Sequence, residues 1–295
     1  MASSYGYNGY RRTQQRRPVR TARKKHPLLR KIFIIAALFG LWWFSNYTLR
    51  TKHTSVHSDK IKEPFRAVVL ADQHATENGI SNDVIESRID NAEPDVIFVL
   101  GDMYSRESEW DQIKIPIGLI SDLTAKGYPV YFVPGDHDTG SDYLLALKSA
   151  RVKIMSYRSE TADIKGNRIQ IMGIDNVNYS PGFDLSTAFT KDPEAFSILM
   201  AHIPNYKAFS AFGADLTLCA DTHGGMTRLP LLGPILDVSD MKLLPKVTGD
   251  GEYYDKGWFS YEGGEMFITS GIGASPLPVR LWNRPEIVVM DFYPL

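Results

Sequence analysis

The sequence predicts an α/β fold built on a largely parallel sheet, and three observations carry that expectation. Short, continuous apolar runs recur at residues 66–71, 95–100 and 129–133; segments with helical spacing separate them; and each run stops at an Asp or a His. Apolar runs without alternation suit strands buried on both faces, which a parallel sheet covered by crossover helices requires. In such sheets sites form outside the carboxyl ends of the strands, and Asp72, His74, Asp102, Asp136 and His137 fall there.

Taken in order, residues 66–71 form the first strand and lead into Asp72-Gln73-His74. Residues 81–92 predict a helix: Ser81 or Asn82 caps it, Val84, Ile85 and Ile89 share one face, and Pro94 ends it. A second strand at 95–100 runs into Gly101-Asp102. A helix over 110–126, with Pro116 as a blemish, leads to a third strand at 129–133 and to Gly135-Asp136-His137-Asp138. A helix at 142–149, a strand at 168–174 and a strand at 196–201 ending in His202 follow. A short helix over 205–212 then precedes the apolar run 216–220, which delivers Asp221-Thr222-His223-Gly224-Gly225. Residues 265–269 and 286–292 are further strand candidates.

The N-terminus differs from the rest. Residues 1–31 carry ten Lys/Arg and no Asp/Glu, leaving 23 basic against 34 acidic residues beyond them, a net charge of −11. Residues 1–25 lack apolar periodicity and read as disordered. Residues 32–49 hold an apolar run close to the ~20 residues that a bilayer span needs. Trp42, Trp43 and Tyr47 suit an interfacial aromatic belt. No small-x-small cleavage site follows, so an uncleaved signal anchor is expected over a removed signal peptide. Neither arginine pair, Arg11-Arg12 or Arg16-Arg17, directly precedes the run, so a twin-arginine signal is weak. The basic excess puts the N-terminus in the cytoplasm and the remaining domain outside it. The polar residues 50–64 read as a stalk, and 65–295 as one domain.

An acidic domain argues against a nucleic-acid groove. The single cysteine, Cys219, excludes an intrachain disulfide and reads as core. Gly249–Gly251 and Gly263-Gly264 mark turns; no internal repeat, Walker motif, dinucleotide fingerprint or serine elbow is present.

Of seven histidines, His26, His53 and His57 lie in the tail and stalk, while His74, His137, His202 and His223 all fall at strand ends beside carboxylates or in tight turns. A lone histidine is ordinarily a hydrogen-bonded surface or core residue; four out of four in such places point to metal. Mixed imidazole and carboxylate donors suit Mn, Fe or Zn, and oxygen-rich sets lean toward Mn or Mg. An Asp between two ions bridges them, and a metal pair clamps a phosphate ester while acidifying water.

The ordered motifs Asp72-x-His74, Gly101-Asp102, Gly135-Asp136-His137-Asp138, His202 and Thr222-His223-Gly224-Gly225 resemble the calcineurin-like metallophosphoesterases over residues 65–295. Arg228-Leu229-Pro230, Gly257-Trp258-Phe259, Gly271-Ile272-Gly273, Arg280 and Arg284-Pro285-Glu286 are similar to the membrane-associated bacterial branch, which includes phosphohydrolases of envelope lipids and UDP-diacylglucosamine. The resemblance implies a four-layer α/β/β/α sandwich, two packed sheets flanked by helices, preceded by one transmembrane helix. It implies a membrane-anchored dinuclear phosphoesterase acting by metal-activated hydroxide, with an envelope lipid or nucleotide sugar as candidate substrate. It also implies roles. Asp72, His74 and His223 would hold a first metal with Asp102 bridging; Asp102, Asp136, His202 and Asp221 would hold the second. His137 would protonate the leaving group or bind phosphate, oriented by Asp138.

Two positions depart from the family pattern: Asp136 stands for the usual Asn and Asp221 for the usual His, while Ala220 replaces a usual Gly. The four aspartates then bring −4 to the site, against −2. A unit charge at 4 Å is worth about 4 kcal/mol at an effective dielectric of 20. This favours Mn, Mg or Fe over Zn and leaves a degenerate, non-catalytic metal-binding surface protein as the alternative. A phosphodiesterase acting on extracellular nucleic acid is a third reading, disfavoured by the acidic charge. Asn283, Arg280 and Arg284 are candidates to meet a phosphate or diphosphate, against a surface loop with a salt bridge to Glu286. Residues 229–232 and 243–244 read as ordinary core rather than an apolar lip.

Overall fold

The structure, a computed structural model, describes Met1 and residues 27–75, 80–175, 184–237, 242–248, 252–273 and 279–295; the basic tail and the Gly249–Gly251 turn therefore lie almost wholly outside the described residues. The chain divides into an N-terminal unit, Met1–Leu38, and a main unit, Phe39–Leu295.

One helix, α1 (Pro27–Tyr47), occupies the expected span and is long and apolar enough to cross a membrane by length and composition. Its far end departs from the expectation of a span reaching residue 49. Ser45 and Asn46 are buried, and Leu49 packs in the core of the main unit.

The segment expected to be a stalk is instead a strand, β1 (Arg50–Ser58), paired in parallel with the strand Glu286–Pro294. Nothing in its apolar pattern announces this, because it is an edge strand with one buried side chain, Val56. Lys52, His53 and the other polar residues suit an edge that must not recruit a further strand.

The remaining elements follow in chain order: β2 (Phe65–Leu70), α2 (Asn82–Asp90), β3 (Val96–Val99), α3 (Trp110–Ala125), β4 (Val130–Phe132), α4 (Ser141–Ser149), β5 (Lys153–Ile154), β6 (Arg158–Ile164), β7 (Asn167–Ile174), β8 (Phe196–Ala201), α5 (Tyr206–Phe212) and β9 (Leu216–Cys219). Short hairpin strands β10 (Arg228–Leu229), β11 (Gly233–Pro234), β12 (Leu236–Asp237) and β13 (Lys242–Leu243) come next, with α6 (Pro245–Thr248). Then come β14 (Gly257–Tyr261), β15 (Gly264–Ile268) and β16 (Glu286–Pro294). Pro116 is accommodated in α3, whose start is fixed by a capping box between Glu109 and Gln112.

The strands make two six-stranded sheets, β1-β16-β2-β3-β4-β5 and β14-β15-β9-β8-β7-β6. The expected parallel runs are there, β2-β3-β4-β5 in one and β7-β8-β9-β15 in the other. Both sheets are mixed, however: β16 runs antiparallel to β2, β6 to β7 and β14 to β15. Side-chain alternation sorts the core into three layers. Val69, Phe98, Tyr131, Ile171, Ile198, Leu218, Phe267 and Met290 fill the space between the sheets. Val68, Ile97, Phe132 and Val289 face α2, α3 and α4 through Ile85, Ile89, Leu119, Leu123 and Leu147. On the outer face of the other sheet, Met172, Leu199 and Ile268 meet Phe209 and Phe212 of α5. Two sheets flanked by helices result, as expected. Leu231, Leu232 and Leu243 are exposed, not core, because they sit on the small hairpins outside both sheets.

Candidate functional site: a cluster of aspartates and histidines at five strand ends

The carboxyl ends of β2, β3 and β4 in one sheet and of β8 and β9 in the other converge. Each of these strands is apolar because it is buried on both faces, and each stops where its backbone must turn to expose a polar side chain. The turning has a conformational signature. Asp72, His74, Asp102, Asp221 and His223 all have positive φ, between 47° and 65°, a region costly for residues with a Cβ. Such strain survives only where surrounding contacts impose it. Gly271, at φ +63°, packs directly on the Asp72 carboxylate where a Cβ would collide with it.

Among the described residues, three groups emerge whose donor atoms lie within 4.8 Å of one another: Asp72–His74–His223, Asp72–Asp102–His202 and Asp136–His202–Asp221. A fourth, His74–Asp102–His137, brings the general-acid candidate to the same centre. Every ligand candidate from the sequence is therefore present in one cluster, with Asp102 in the middle.

The first group is buried. Both Asp72 carboxylate oxygens are fully buried without a hydrogen-bond partner among the described residues, and burial pushes this group up to about 8. His74 Nε2 and His223 Nε2 face each other at 3.1 Å. Burial holds the His74 imidazole down to about 4 and pushes His223 well below its ordinary value, so both rings are neutral. The other nitrogen of His74 is hydrogen-bonded to Ser105 Oγ at 3.1 Å. A buried carboxyl with no hydrogen bond among the described residues and two neutral imidazoles with facing nitrogens suit a divalent cation.

His202 likewise has one ring nitrogen fixed by a hydrogen bond. Its Nδ1–H donates to the Leu100 carbonyl at 2.6 Å, leaving Nε2 to face Asp102 Oδ2 at 3.1 Å and Asp221 Oδ1 at 3.7 Å. Burial works against charge on this ring, but the Asp102 carboxylate overrides it and raises its pKa well above the ordinary value. Burial likewise opposes ionisation of Asp102, and the His202 charge wins, holding that carboxyl well below its usual range. Asp221 is shifted up by burial.

The second group is more open: Asp136 and Asp221 have side chains 33% and 39% exposed, against none for Asp72. Asp136 is paired with Arg106, whose Nη2 lies 3.3 Å from its carboxylate and 3.0 Å from its carbonyl oxygen. Arg106 lies on the loop after Asp102, in no motif, so its local sequence does not signal this role. It offsets part of the extra negative charge that Asp136 brings. Its backbone N–H also donates to His137 Nδ1 at 3.0 Å. With Nδ1 accepting, the ring carries its proton on Nε2, 3.9 Å from Asp102 Oδ2.

Three expected roles are not met by the geometry. Asp138 does not orient the His137 ring. It is buried, and its carboxylate accepts the backbone N–H groups of Asp102 at 2.5 Å, Met103 at 3.2 Å and Gly135 at 2.9 Å. It binds the loop after β4 to the loop after β3, because three convergent amides leave it no free oxygen to turn toward the imidazole. Arg280 is wholly buried and donates to the carbonyls of Gly273 and Ser270. Arg284 donates to Thr48 and Leu49 and stacks on Phe44 at 4.5 Å. Arg280 is thus committed to main-chain oxygens, and Arg284 turns its Nε and Nη2 to Thr48 and Leu49. Glu286, suggested as their partner, instead accepts from Ser270 N at 3.2 Å.

Residues 65–225 match the family of calcineurin-like phosphoesterases. The uncharacterized metallophosphoesterase YkuE of Bacillus subtilis (strain 168) is 25% identical over 234 residues, covering 76% of this chain and 78% of its own. The phosphodiesterase YaeI of Escherichia coli (strain K12) is 26% identical over 249 residues, covering 77% of this chain and 82% of its own. Among solved structures, TT1561 of Thermus thermophilus aligns with a TM-score of 0.45 at 10% identity, covering 71% of this chain and 90% of that one.

Proposed function

The chain belongs to the calcineurin-like phosphoesterase family, and on that footing we propose that it hydrolyses a phosphoester with two divalent cations, as a membrane-anchored enzyme. It is a phosphoester hydrolase by family. The observation that carries the two-metal reading is the buried Asp72 carboxylate, neither oxygen hydrogen-bonded among the described residues, grouped with His74 and His223 and, in a second group, with Asp102 and His202. Asp72, His74 and His223 would hold one cation, Asp136, His202 and Asp221 the other, and Asp102 would serve both. Cations bound there would polarise the phosphoryl group and lower the pKa of water at the site.

The chain's own residues supply the rest. His137, with its proton on Nε2, is the group to donate a hydrogen bond to the phosphoryl or leaving oxygen; the Arg106 amide at Nδ1 keeps that tautomer. Asp102 holds the His137 loop in place through the backbone N–H at 3.0 Å. Arg106, half exposed at the rim, places positive charge where a phosphate would enter. Four aspartates among the proposed ligands favour Mn²⁺, with Mg²⁺, Fe or Zn²⁺ as further candidates. The name of the relative YaeI, a phosphodiesterase, supports trying a diester first, beside envelope-lipid and nucleotide-sugar esters. The apolar helix Pro27–Tyr47 supports a single-pass anchor, and the basic excess before it supports a cytoplasmic N-terminus with the catalytic domain outside.

The test is metal content together with hydrolysis of aryl phosphate mono- and diesters by the full chain in detergent, with His137→Ala beside it. Two metals per chain, with turnover lost in the variant, supports the enzyme. One metal or none, without turnover on any ester, leaves a non-catalytic member of the family.

A further inference from the structure

Arg280 was a candidate for substrate, yet it is the largest wholly buried side chain among the described residues. Its surroundings explain where its binding capacity goes. Its Nε donates to the Gly273 carbonyl at 2.9 Å and its Nη2 to the Ser270 carbonyl at 2.7 Å. The Gly273 N–H in turn donates to the Asp72 carbonyl at 2.6 Å, and the neighbouring Ile272 N–H to the Ala71 carbonyl at 3.0 Å. The loop that Arg280 holds is thus the loop that fixes the backbone of Asp72.

A second branch leaves the same residue. Arg280 Nη1 lies 3.4 Å from the Asn283 carbonyl, and the Asn283 carboxamide donates to the His223 carbonyl at 2.6 Å. Lys256 Nζ donates to the Asn283 side-chain oxygen at 2.7 Å, so that the carboxamide has one orientation. Two of the three residues grouped at the buried site are therefore braced, through their main chains, by Arg280.

What fixes Arg280 itself is the end of α1. Asn46 accepts the Arg280 N–H at 2.7 Å and donates to the Arg280 carbonyl at 2.8 Å, closing both backbone groups of one residue with one carboxamide. The second amide hydrogen of Asn46 goes to the Trp42 carbonyl at 2.8 Å, within the helix. Asn46 is 6% exposed and Ser45 1%, so this contact is dry. A side chain that meets both the donor and the acceptor of a buried peptide has no equivalent replacement by water.

We propose that Asn46 is a positioning residue of the buried metal site, acting through Arg280 on the loops that carry Asp72 and His223. The inference rests on the reading of Asp72, His74 and His223 as cation ligands. Partners that orient ligands from outside typically control metal affinity by 10–100-fold. Coupling of this kind is reciprocal: if the helix end stabilises the bound site, the bound ion stabilises the helix end by the same free energy.

The experiment is a Mn²⁺ titration of the full chain in detergent micelles by calorimetry, comparing the parent with Asn46→Ala and Thr48→Ala. Thr48 joins the helix end to Arg284, outside the Arg280 branches. Asn46→Ala is expected to weaken one of two binding steps by about tenfold and to spare the other; Thr48→Ala is expected to bind both ions as the parent does. Parent-like binding by Asn46→Ala overturns the proposal, as does an equal loss at both steps. Should Asn46→Ala not fold, hydrogen exchange of the unmodified chain decides. Mn²⁺ should then slow exchange in residues 42–49 together with 269–273 and 279–284, and protection confined to the ligand loops overturns the proposal. A parent that binds no Mn²⁺ removes the metal reading, and this inference with it.

Discussion

His74 Nε2 and His223 Nε2, delivered by strands of different sheets, stand 3.1 Å apart with their rings near parallel, at 27°. Two neutral imidazoles cannot both donate into that gap, so at least one nitrogen lone pair points into it, available to a cation. Divalent cation should therefore stabilise the fold. At a hundredfold excess over Kd the gain is about 2.7 kcal/mol for one site. Thermal unfolding with Mn²⁺ and then with chelator would measure it. His223→Ala should abolish most of the shift, and a full shift in that variant would remove His223 from the site.

Asp138 and His137 are neighbours whose loss should look different. Asp138→Ala strips three buried amides of their acceptor, and a deficit of about 2–4 kcal/mol is expected in chemical denaturation. His137→Ala should leave unfolding almost unchanged while slowing hydrolysis by about 10²–10⁴-fold. If Asp138→Ala were as stable as the parent and only slower, the role in orienting His137 would return.

Removing Arg106 should separate binding of cations from turnover. Arg106→Met keeps the backbone amide that bonds His137 and deletes the positive charge beside Asp136. The more open cation step should tighten several-fold by calorimetry, since an adjacent cation repelled the incoming one. Turnover on a phosphate monoester should fall. Weaker cation binding in this variant would show that Arg106 shapes the site instead of balancing its charge.

Gly271→Ala tests whether the Asp72 carboxylate has room to move. The residue is at φ +63°, which costs alanine about 1–2 kcal/mol, and the new Cβ would press on the carboxylate. The expected outcome is loss of one metal per chain in elemental analysis, with the second retained. Full metal content in a folded Gly271→Ala chain would mean that Asp72 is not a ligand.

The parts of this molecule that could be read from its sequence are those where burial on both faces leaves a continuous apolar run. Strands β2, β3, β8 and β9 are of that kind, and they carry Asp72, Asp102, His202 and Asp221. Strand β1 was missed because half its neighbours are solvent, so Thr51, Lys52 and His53 obey no alternation. Arg106 was missed because its role depends on the loop after β3 lying beside the loop after β4, a proximity that no local spacing encodes. The place of Arg280 is hidden from local sequence for a related reason. A lone arginine in a glycine-rich loop has the same local pattern whether its partners are phosphate oxygens or main-chain carbonyls, and here carbonyls were near enough to win.

The pairing of Arg50–Ser58 with Glu286–Pro294 has a bearing on how the protein is made. Strand β16 separates β1 from β2 in the sheet, so β1 has no partner, and β2 only β3, until β16 has been made. A nascent chain that has already produced its apolar helix must wait, with strand edges open, until Glu286–Pro294 has been made. Such long-range closure is slow and leaves pairing surfaces exposed in the meantime. If α1 is held in a bilayer during that interval, β1 is tethered next to the lipid and diluted from other copies of itself. Tethering then acts as a chaperone of sorts, keeping an unfinished edge from meeting its like.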